Sequence, residues 1–179
     1  GILTIPANAA IGDTRMRVSM QRGGFAGPCE SLLYGEVEDY AIQIMDGGGG
    51  GVISPVPYCA SVSDFPWHDW IARVQVGTLD NPSGKNPYSD FTNQSVDLQR
   101  GQAINCTLTS GFSWQTFDEH WNIWIDYNQN GVFEAPVELA YTGFQPRPTA
   151  GTTLSALSGS FVVPFTAPVG PTRMRISMG

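Results

Sequence analysis

The chain has 179 residues and 41% of them are hydrophobic, so it can bury the core of one ordinary domain and is not expected to be disordered. Its formal net charge is -7 and Lys85 is its single lysine, which excludes the broad basic surface that binds nucleic acid. No apolar run of about 18 residues occurs, so a membrane span is not expected.

Alternating apolar and polar residues predict the strands. Residues 14–20 read T-R-M-R-V-S-M, which predicts a strand with one buried side and with both arginines on the other side. Similar runs predict further strands near residues 39–45, 70–76, 104–108, 121–125 and 157–165. Because 21 glycines and 13 prolines punctuate these runs, the sequence predicts an all-β fold, an antiparallel β-sandwich that is jelly-roll-like.

An internal repeat is the most informative feature of the sequence. Residues 3–20 align without a gap to residues 161–178, at an offset of 158 (161 − 3), and nine of the eighteen pairs are identical. Both segments contain the string T-R-M-R, at residues 14–17 and 172–175. So many matches in one register indicate a tandem repeat, of which this chain holds one period and a duplicated end.

A run of five glycines followed by a proline-rich stretch predicts a linker at residues 46–57. On this interpretation the chain covers parts of two tandem modules. Residues 1–45 are the C-terminal strands of one module, and residues 58–179 are the N-terminal two-thirds of the next. Because each part lacks strands that the other part has, we expect residues 1–45 of one copy to pack against residues 58–179 of an adjacent copy, head to tail.

Several separated motifs resemble those of the GEVED domain. The string Gly35-Glu36-Val37-Glu38-Asp39-Tyr40 follows a Pro-Cys pair at residues 28–29. Then come a Tyr-Cys pair at 58–59, Y-S-D-F-T at 88–92, W-I-D-Y-N-Q-N-G-V-F-E at 124–134 and a second T-R-M-R strand. The resemblance implies a β-sandwich that occurs in repeats on large secreted or cell-surface bacterial proteins and is not itself a catalyst. It also implies an extracellular location.

The segment from residue 126 to residue 134 resembles a calcium-binding loop. Oxygen-bearing side chains occur at Asp126, Asn128, Asn130 and Glu134, Val132 would supply its carbonyl oxygen, and the sixth position is glycine. A hard cation needs six to eight oxygen ligands, which alternate residues of a tight loop can supply. The alternative is a turn rich in aspartate and asparagine that needs no metal. We therefore hold Ca²⁺ as the candidate cofactor.

Acidic residues of the GEVED-like string invite a catalytic interpretation, but a structural one is favoured. Glu36, Glu38 and Asp39 lie beside a strand whose outer face carries Arg15 and Arg17, so cross-strand ion pairs are expected. The motifs GxSxG, HExxH and GxxxxGK[ST] are absent, and no pocket-forming motif accompanies the acids. The sequence predicts no catalytic residue.

Tryptophans raise the possibility of a sugar-binding platform. Trp67 and Trp70 flank a loop-to-strand region and are the better candidates, because exposed aromatic faces offer a large rigid contact area. The alternative is that they simply pack in the core.

The three cysteines are far apart in sequence. Cys106 is expected to be a buried free thiol on its strand. The family resemblance implies that Cys29 and Cys59 are oxidised. They could bond to each other, or Cys29 could bond to the Tyr-Cys of its own module, and the sequence does not choose.

Taken together, the sequence predicts a non-catalytic structural or adhesive repeat of an extracellular filament or large surface protein, with adjacent copies as its partners. The alternative function is a carbohydrate-binding module attached to a secreted enzyme.

Overall fold

The structure is a computed structural model that describes residues 14–19, 27–32, 34–45 and 58–179; the side chains of residues 14–19 and 42–45 lie outside the description. Within these ranges there are ten strands and no helix long and apolar enough to cross a membrane. The strands are β1 (Thr14–Ser19), β2 (Glu36–Met45), β3 (Asp69–Val76), β4 (Leu79–Pro82), β5 (Ser89–Gln99), β6 (Ala103–Phe112), β7 (Glu119–Ile125), β8 (Leu139–Gln145), β9 (Leu154–Val162) and β10 (Gly170–Met178).

Two sheets form the predicted β-sandwich. One sheet has the order β5-β2-β1-β10-β7-β8, with an additional pairing between β2 and β10, and the other has the order β4-β3-β6-β9. The pairs are antiparallel except for β2 with β5 and β1 with β10. The prediction of an all-β sandwich is confirmed.

The core lies between the sheets and follows the period-two pattern of the sequence. In β6 the inward residues are Ile104, Cys106 and Leu108, and they pack in the same cluster as the inward residues of β7 and β10. Cys106 is a free thiol, and burial raises its pKa to about 12, so it is inert at neutral pH.

The amino-terminal part of the chain adds to the sandwich formed by the rest. We call residues 27–32 and 34–45 the closing segment and residues 58–179 the body. Strand β2 of the closing segment pairs with β5 and with β10 of the same chain. Strand β2 also pairs with β1.

This arrangement within one chain differs from the packing between copies that the sequence predicts, and the packing between copies stays a prediction. We expected residues 1–45 to pack on an adjacent copy, but the closing segment packs on the body of its own chain. The twelve intervening residues, 46–57, explain why this is feasible, because that many residues can span up to about 40 Å. Among the other residues up to residue 45, the structure describes the backbone of residues 14–19, which form β1.

Candidate functional site

Strand β2 is buried on both of its faces, and its side chains alternate between them. Glu36, Glu38 and Tyr40 make hydrogen bonds to residues of the four-stranded sheet and its loops. Asp39 lies on the opposite face, against Arg175 and Tyr88. All four side chains are fully buried. The strand that contains the family-like string is therefore the junction between the closing segment and the body.

On the inner face, two carboxyl groups are satisfied by neutral donors. Glu36 Oε2 accepts a hydrogen bond from the Ile71 backbone N–H at 2.5 Å. Glu38 accepts hydrogen bonds from the Tyr40 hydroxyl at 2.8 Å and from Ser83 Oγ at 2.6 Å. The Tyr40 oxygen in turn accepts one from Asn81 at 2.9 Å. This network ties β2 to the β3–β4 hairpin across the sandwich.

Burial makes these carboxyl groups hard to ionise. It raises the pKa of Glu38 to about 8, and it raises the pKa of Glu36 well above its usual range, with the nearby Glu38 as the next cause. The described hydrogen-bond partners of Glu36 and Glu38 on the four-stranded sheet and its loop are neutral groups, because alternate residues of β2 point toward the inside of the sandwich. Ion pairs of these two acids with Arg15 and Arg17 stay a prediction, because the side chains of those arginines lie outside the described residues.

On the outer face, the acid that does form an ion pair is Asp39. It binds the guanidinium of Arg175, and the Tyr88 hydroxyl also donates to Asp39 at 3.2 Å. Arg175 is 2% exposed, and it donates a further hydrogen bond to the Cys59 carbonyl oxygen at 3.1 Å. A buried charge pair with these additional partners fixes the strand register strongly.

The repeat equivalent of Arg175 is Arg17, because the two residues are 158 apart, the offset of the internal repeat. The backbone of Arg17 lies opposite Asp39 in the ladder between β1 and β2. The side chains of Arg15 and Arg17 lie outside the described residues, so their predicted ion pairs remain a prediction.

Strands β1 and β10 share one register on β2. Thr14 and Thr172 are both opposite Ile42, and the arginines that follow them, 15 and 173, are both opposite Ala41. Each pair differs by 158, the repeat offset (172 − 14 and 173 − 15). The other edge of β2 is paired with β5. Because one strand edge forms one ladder, the chain contains two equivalent strands for a single position.

A disulfide holds the start of the closing segment to the start of the body. Cys29 and Cys59 are bonded within the chain, with 5.3 Å between their Cα atoms. Beside it, Ser61 Oγ donates to the Glu30 carbonyl oxygen at 2.9 Å, and Leu32 pairs in parallel with Ser63. The bond is thus embedded in a docked strand-like contact.

The candidate calcium loop is held by its own hydrogen bonds. The Asn130 backbone N–H donates to Asp126 Oδ1 at 3.2 Å and to Asn128 Oδ1 at 2.9 Å, so these two oxygens converge. Asn130 Oδ1 accepts from the Val132 N–H at 2.8 Å, and Glu134 accepts from the Asn128 amide at 2.7 Å. These residues offer the hard oxygens that calcium needs, although two of the side-chain ligands are neutral amides.

Glu138 is a second buried acid of this loop. Its Oε1 accepts from the backbone N–H groups of Tyr127 and Asn128, and its Oε2 accepts from that of Glu134. Burial raises the pKa of Glu138 to about 8. Among the described residues no group of three or more His, Cys, Asp or Glu side chains is arranged around a common metal position. The hydrogen bonds that the side chains of Asp126, Asn128 and Glu138 accept from backbone N–H groups hold the loop in its turn.

The aromatic residues near the start of β3 have different roles. Trp70 lies opposite Gly111, and its ring covers that glycine so closely that an added Cβ would be 2.3 Å from a ring atom. Lys85 Nζ lies 4.3 Å from the centre of the same ring. Trp67 is 53% exposed and Trp114 is 79% exposed. Trp70 is thus a packing residue, and Trp114 is a surface aromatic that the sequence analysis did not select.

Ser113 joins the two loops that carry these exposed rings. Its backbone N–H donates to the His68 carbonyl oxygen at 3.0 Å, and its hydroxyl donates to the Trp67 carbonyl oxygen at 2.6 Å. The His68 ring contacts the Trp114 ring edge-on, with 5.5 Å between their centres. The two indoles are therefore presented from loops that are tied together.

Two other residues of the site were missed by sequence reasoning. Arg175 could have been found from the repeat, since it is the equivalent of Arg17, which was selected. Tyr88 belongs to the quoted Y-S-D-F-T string, yet nothing in that string indicates that its hydroxyl reaches Asp39 from a loop 49 residues away.

Comparison with known families gives one match. The family model described as GEVED domain matches residues 1–43 and 120–179. The matched ranges contain both T-R-M-R strands and the candidate calcium loop. Searches of the curated proteins and of the solved structures each returned no match.

Proposed function

The chain belongs to the GEVED domain family, and on that premise we propose that it is a non-catalytic structural or adhesive repeat of an extracellular filament or large surface protein. In this proposal successive sandwiches join head to tail. The observation that carries it is the shared register of β1 and β10 on β2.

The count of strands supports a repeating assembly. One sandwich has one position beside β2, whereas this chain, which is one period with a duplicated end, supplies two strands with the same register for that position. In a tandem array, residues 14–19 of one repeat correspond to residues 172–177 of the repeat before it, so each position is filled once. A closed single copy instead contains one redundant strand. The array therefore removes a conflict that the single chain retains.

The contacts of the closing segment also support the proposal. Its inner-face hydrogen bonds, the Asp39 ion pair and the Cys29 bond are all made with residues 58–179. Every copy presents the same body surface, so the closing segment of a neighbour meets an identical set of partners. This is the condition for exchanging an identical element between copies, and a head-to-tail exchange that does not close produces a filament.

Light scattering and negative-stain electron microscopy test the proposal over a range of concentrations, on the chain kept in a buffer of oxidised and reduced glutathione so that the Cys29–Cys59 bond can exchange. We expect open strings of regularly spaced sandwiches whose mean length grows with concentration. The variant Asp39→Arg sets two buried guanidinium groups against each other and should abolish the strings. The matched control Asp80→Arg makes the same charge change at an exposed position of β4 and should keep them. A wild-type chain that stays monomeric throughout would overturn the proposal.

A second candidate function is carbohydrate binding, and the exposed Trp67 and Trp114 rings favour it. Large aromatic rings on the surface of a soluble domain are candidates for ligand contact. Because Ser113 holds the two loops together, little ordering is required when a sugar stacks on the rings. The net charge of -7 favours a neutral saccharide over an acidic one.

Co-sedimentation with insoluble neutral polysaccharides tests this second candidate. Trp114→Ala should reduce the bound fraction several-fold. Phe165→Ala removes an equally exposed ring that packs against Gly101, and it should have no effect. Equal binding of both variants, or none by the wild-type chain, would reject a saccharide site at Trp67 and Trp114.

We also propose that the loop from Asp126 to Glu134 binds Ca²⁺ weakly. The convergence of the Asp126 and Asn128 oxygens on one backbone N–H supports it. Calcium there would stiffen the connection between β7 and β8.

A further inference from the structure

The disulfide lies across the surface on which the closing segment docks. Cys29 belongs to the closing segment and Cys59 belongs to the body. The hydrogen bonds beside it, from Ser61 to the Glu30 carbonyl and from the Leu32 N–H to the Val62 carbonyl at 2.8 Å, also join the two parts. Whichever copy supplies the closing segment thus also supplies the Cys29 thiol.

The contacts of the docked closing segment include one made directly beside the disulfide. Arg175, which is paired with Asp39 of the closing segment, donates to the carbonyl oxygen of Cys59 itself. The Cα atoms of the cysteines are 5.3 Å apart, within the range that a disulfide requires. The closing segment therefore joins the body through three contacts that lie together, the strand pairing, the buried ion pair and the disulfide. The linker makes none of these three contacts, so they can form whichever copy supplies the closing segment.

We propose that in the head-to-tail assembly Cys29 of one copy bonds to Cys59 of the next, so that each junction is covalent. This inference rests on the proposed function. When reduced copies assemble, the two thiols at each junction lose two protons and two electrons to a small-molecule disulfide, which is reduced to two thiols as the new S–S bond forms. Copies that already hold the intrachain bond reach the same state by thiol–disulfide exchange, in which one S–S bond breaks for each one that forms and no net oxidation occurs. The assembly then resists denaturants until it is reduced.

Complementary cysteine variants test the inference in the full chain. The variant Cys29→Ser retains Cys59 of the body, and the variant Cys59→Ser retains Cys29 of the closing segment. Both variants also carry Cys106→Ser, which removes the remaining cysteine. The two variants are mixed in a buffer of oxidised and reduced glutathione, and the products are separated by non-reducing electrophoresis. We expect a covalent dimer in the mixture, several-fold more abundant than in either variant alone, with Cys29 and Cys59 identified as its bonded residues by peptide mapping.

Two further arms separate this inference from the proposed function. Adding Asp39→Arg to the Cys59→Ser variant should abolish the dimer, because the closing segment must dock before Cys29 can bond to Cys59. Wild-type strings collected by sedimentation should give a ladder without reductant and a monomer with it. Strings that run as monomers without reductant, or a mixture that yields no dimer, would overturn the inference while leaving head-to-tail assembly intact. Absence of strings altogether would overturn the proposed function instead.

Discussion

Strands β1 and β10 have almost the same sequence and different surroundings. Residues 14–19 and 172–177 differ at one position, where Val18 corresponds to Ile176. Strand β10 pairs with β7 as well as with β2, and each of its residues from 170 to 178 is buried. Within the described residues, β1 pairs with β2 along its length and with β10 at Thr14 and Arg15, and its backbone also lies close to β7, with which it forms no ladder.

The difference shows what a strand sequence does and does not specify. The T-R-M-R string specifies a register on β2, because both copies take the same one. It does not specify which copy lies between β2 and β7. That choice follows from chain connectivity, since β7 is in the body and so is β10, which makes their pairing independent of the linker.

The largest expected effect comes from proline at equivalent positions of the two strands. Ile176→Pro removes a core side chain opposite Ile123 and a ladder hydrogen bond, and we expect it to destabilise the fold by at least about 3 kcal/mol or to prevent folding. Val18→Pro makes the same change in β1 and should leave the melting temperature nearly unchanged. Circular dichroism melts measure both. Equal losses would mean that β1 is as essential to the sandwich as β10.

Arginine removal gives the next largest effect. Arg175→Met leaves Asp39 buried without its cation, which typically costs about 3–5 kcal/mol. The equivalent change in β1, Arg17→Met, is the matched control and should be much milder. Urea denaturation measures the free energy of unfolding of each variant. If Arg17→Met were the more damaging of the two, β1 rather than β10 would occupy the position beside Asp39.

The dependence of the melting temperature on pH reports on the buried carboxyl groups of β2, the strand with which both β1 and β10 pair. The folded-state pKa of Glu38 is about 8, above the value of about 4.3 for an unfolded glutamate. A raised carboxyl pKa contributes stability that is complete below the unfolded value and is lost as pH rises through the folded value. We expect the melting temperature to fall by roughly 5 °C or more from pH 5 to pH 9.

Two substitutions divide that pH dependence between its sources. Glu38→Gln should remove the part that comes from Glu38, and Glu138→Gln should remove the part that comes from Glu138 in the β7–β8 loop, because burial raises both pKa values to about 8. A melting temperature that is flat between pH 5 and pH 9 in the wild-type chain would contradict both assignments.

Calcium is expected to have the smallest effect. With few charged ligands the affinity should be weak, and a millimolar excess should raise the melting temperature by about 2–4 °C. Asp126→Ala should eliminate the increase, although it should also lower the starting melting temperature because Asp126 accepts from Gly131 N–H and from Tyr58. An unchanged wild-type melt in calcium and in chelator would exclude the site.

Local patterns were enough to predict much of this fold. The alternation around Ile104, Cys106 and Leu108 marked inward residues correctly, and the strand predicted at residues 121–125 lies within β7. Strands β4, β5 and β8 were not predicted. Exposed and half-buried residues dilute the apolar alternation of β5 and β8, whereas β4 has only four residues and one of its two inward residues is the polar Asn81.

The candidate site was harder to predict, because its partners come from distant parts of the chain. The acidic string was recognised, but the sequence did not indicate that Glu36 and Glu38 accept hydrogen bonds from Ile71 and Ser83 of the opposing sheet and its loop. Trp70 was favoured over Trp114 as a surface aromatic, because the sequence gives no sign that the Trp70 ring covers Gly111.

The sequence by itself determined the period of 158 residues, the strand alternation and the register that the repeated string takes on β2. Only the tertiary structure decided that β10 pairs with β7, that Asp39 and not its neighbours meets Arg175, and that Cys29 bonds to Cys59. The physical reason is that neighbouring side chains of a strand point to opposite faces of the sheet, but this alternation does not determine which face points inward. In a strand buried on both faces, that assignment depends on the sheet the strand joins and on the groups that the opposing elements present.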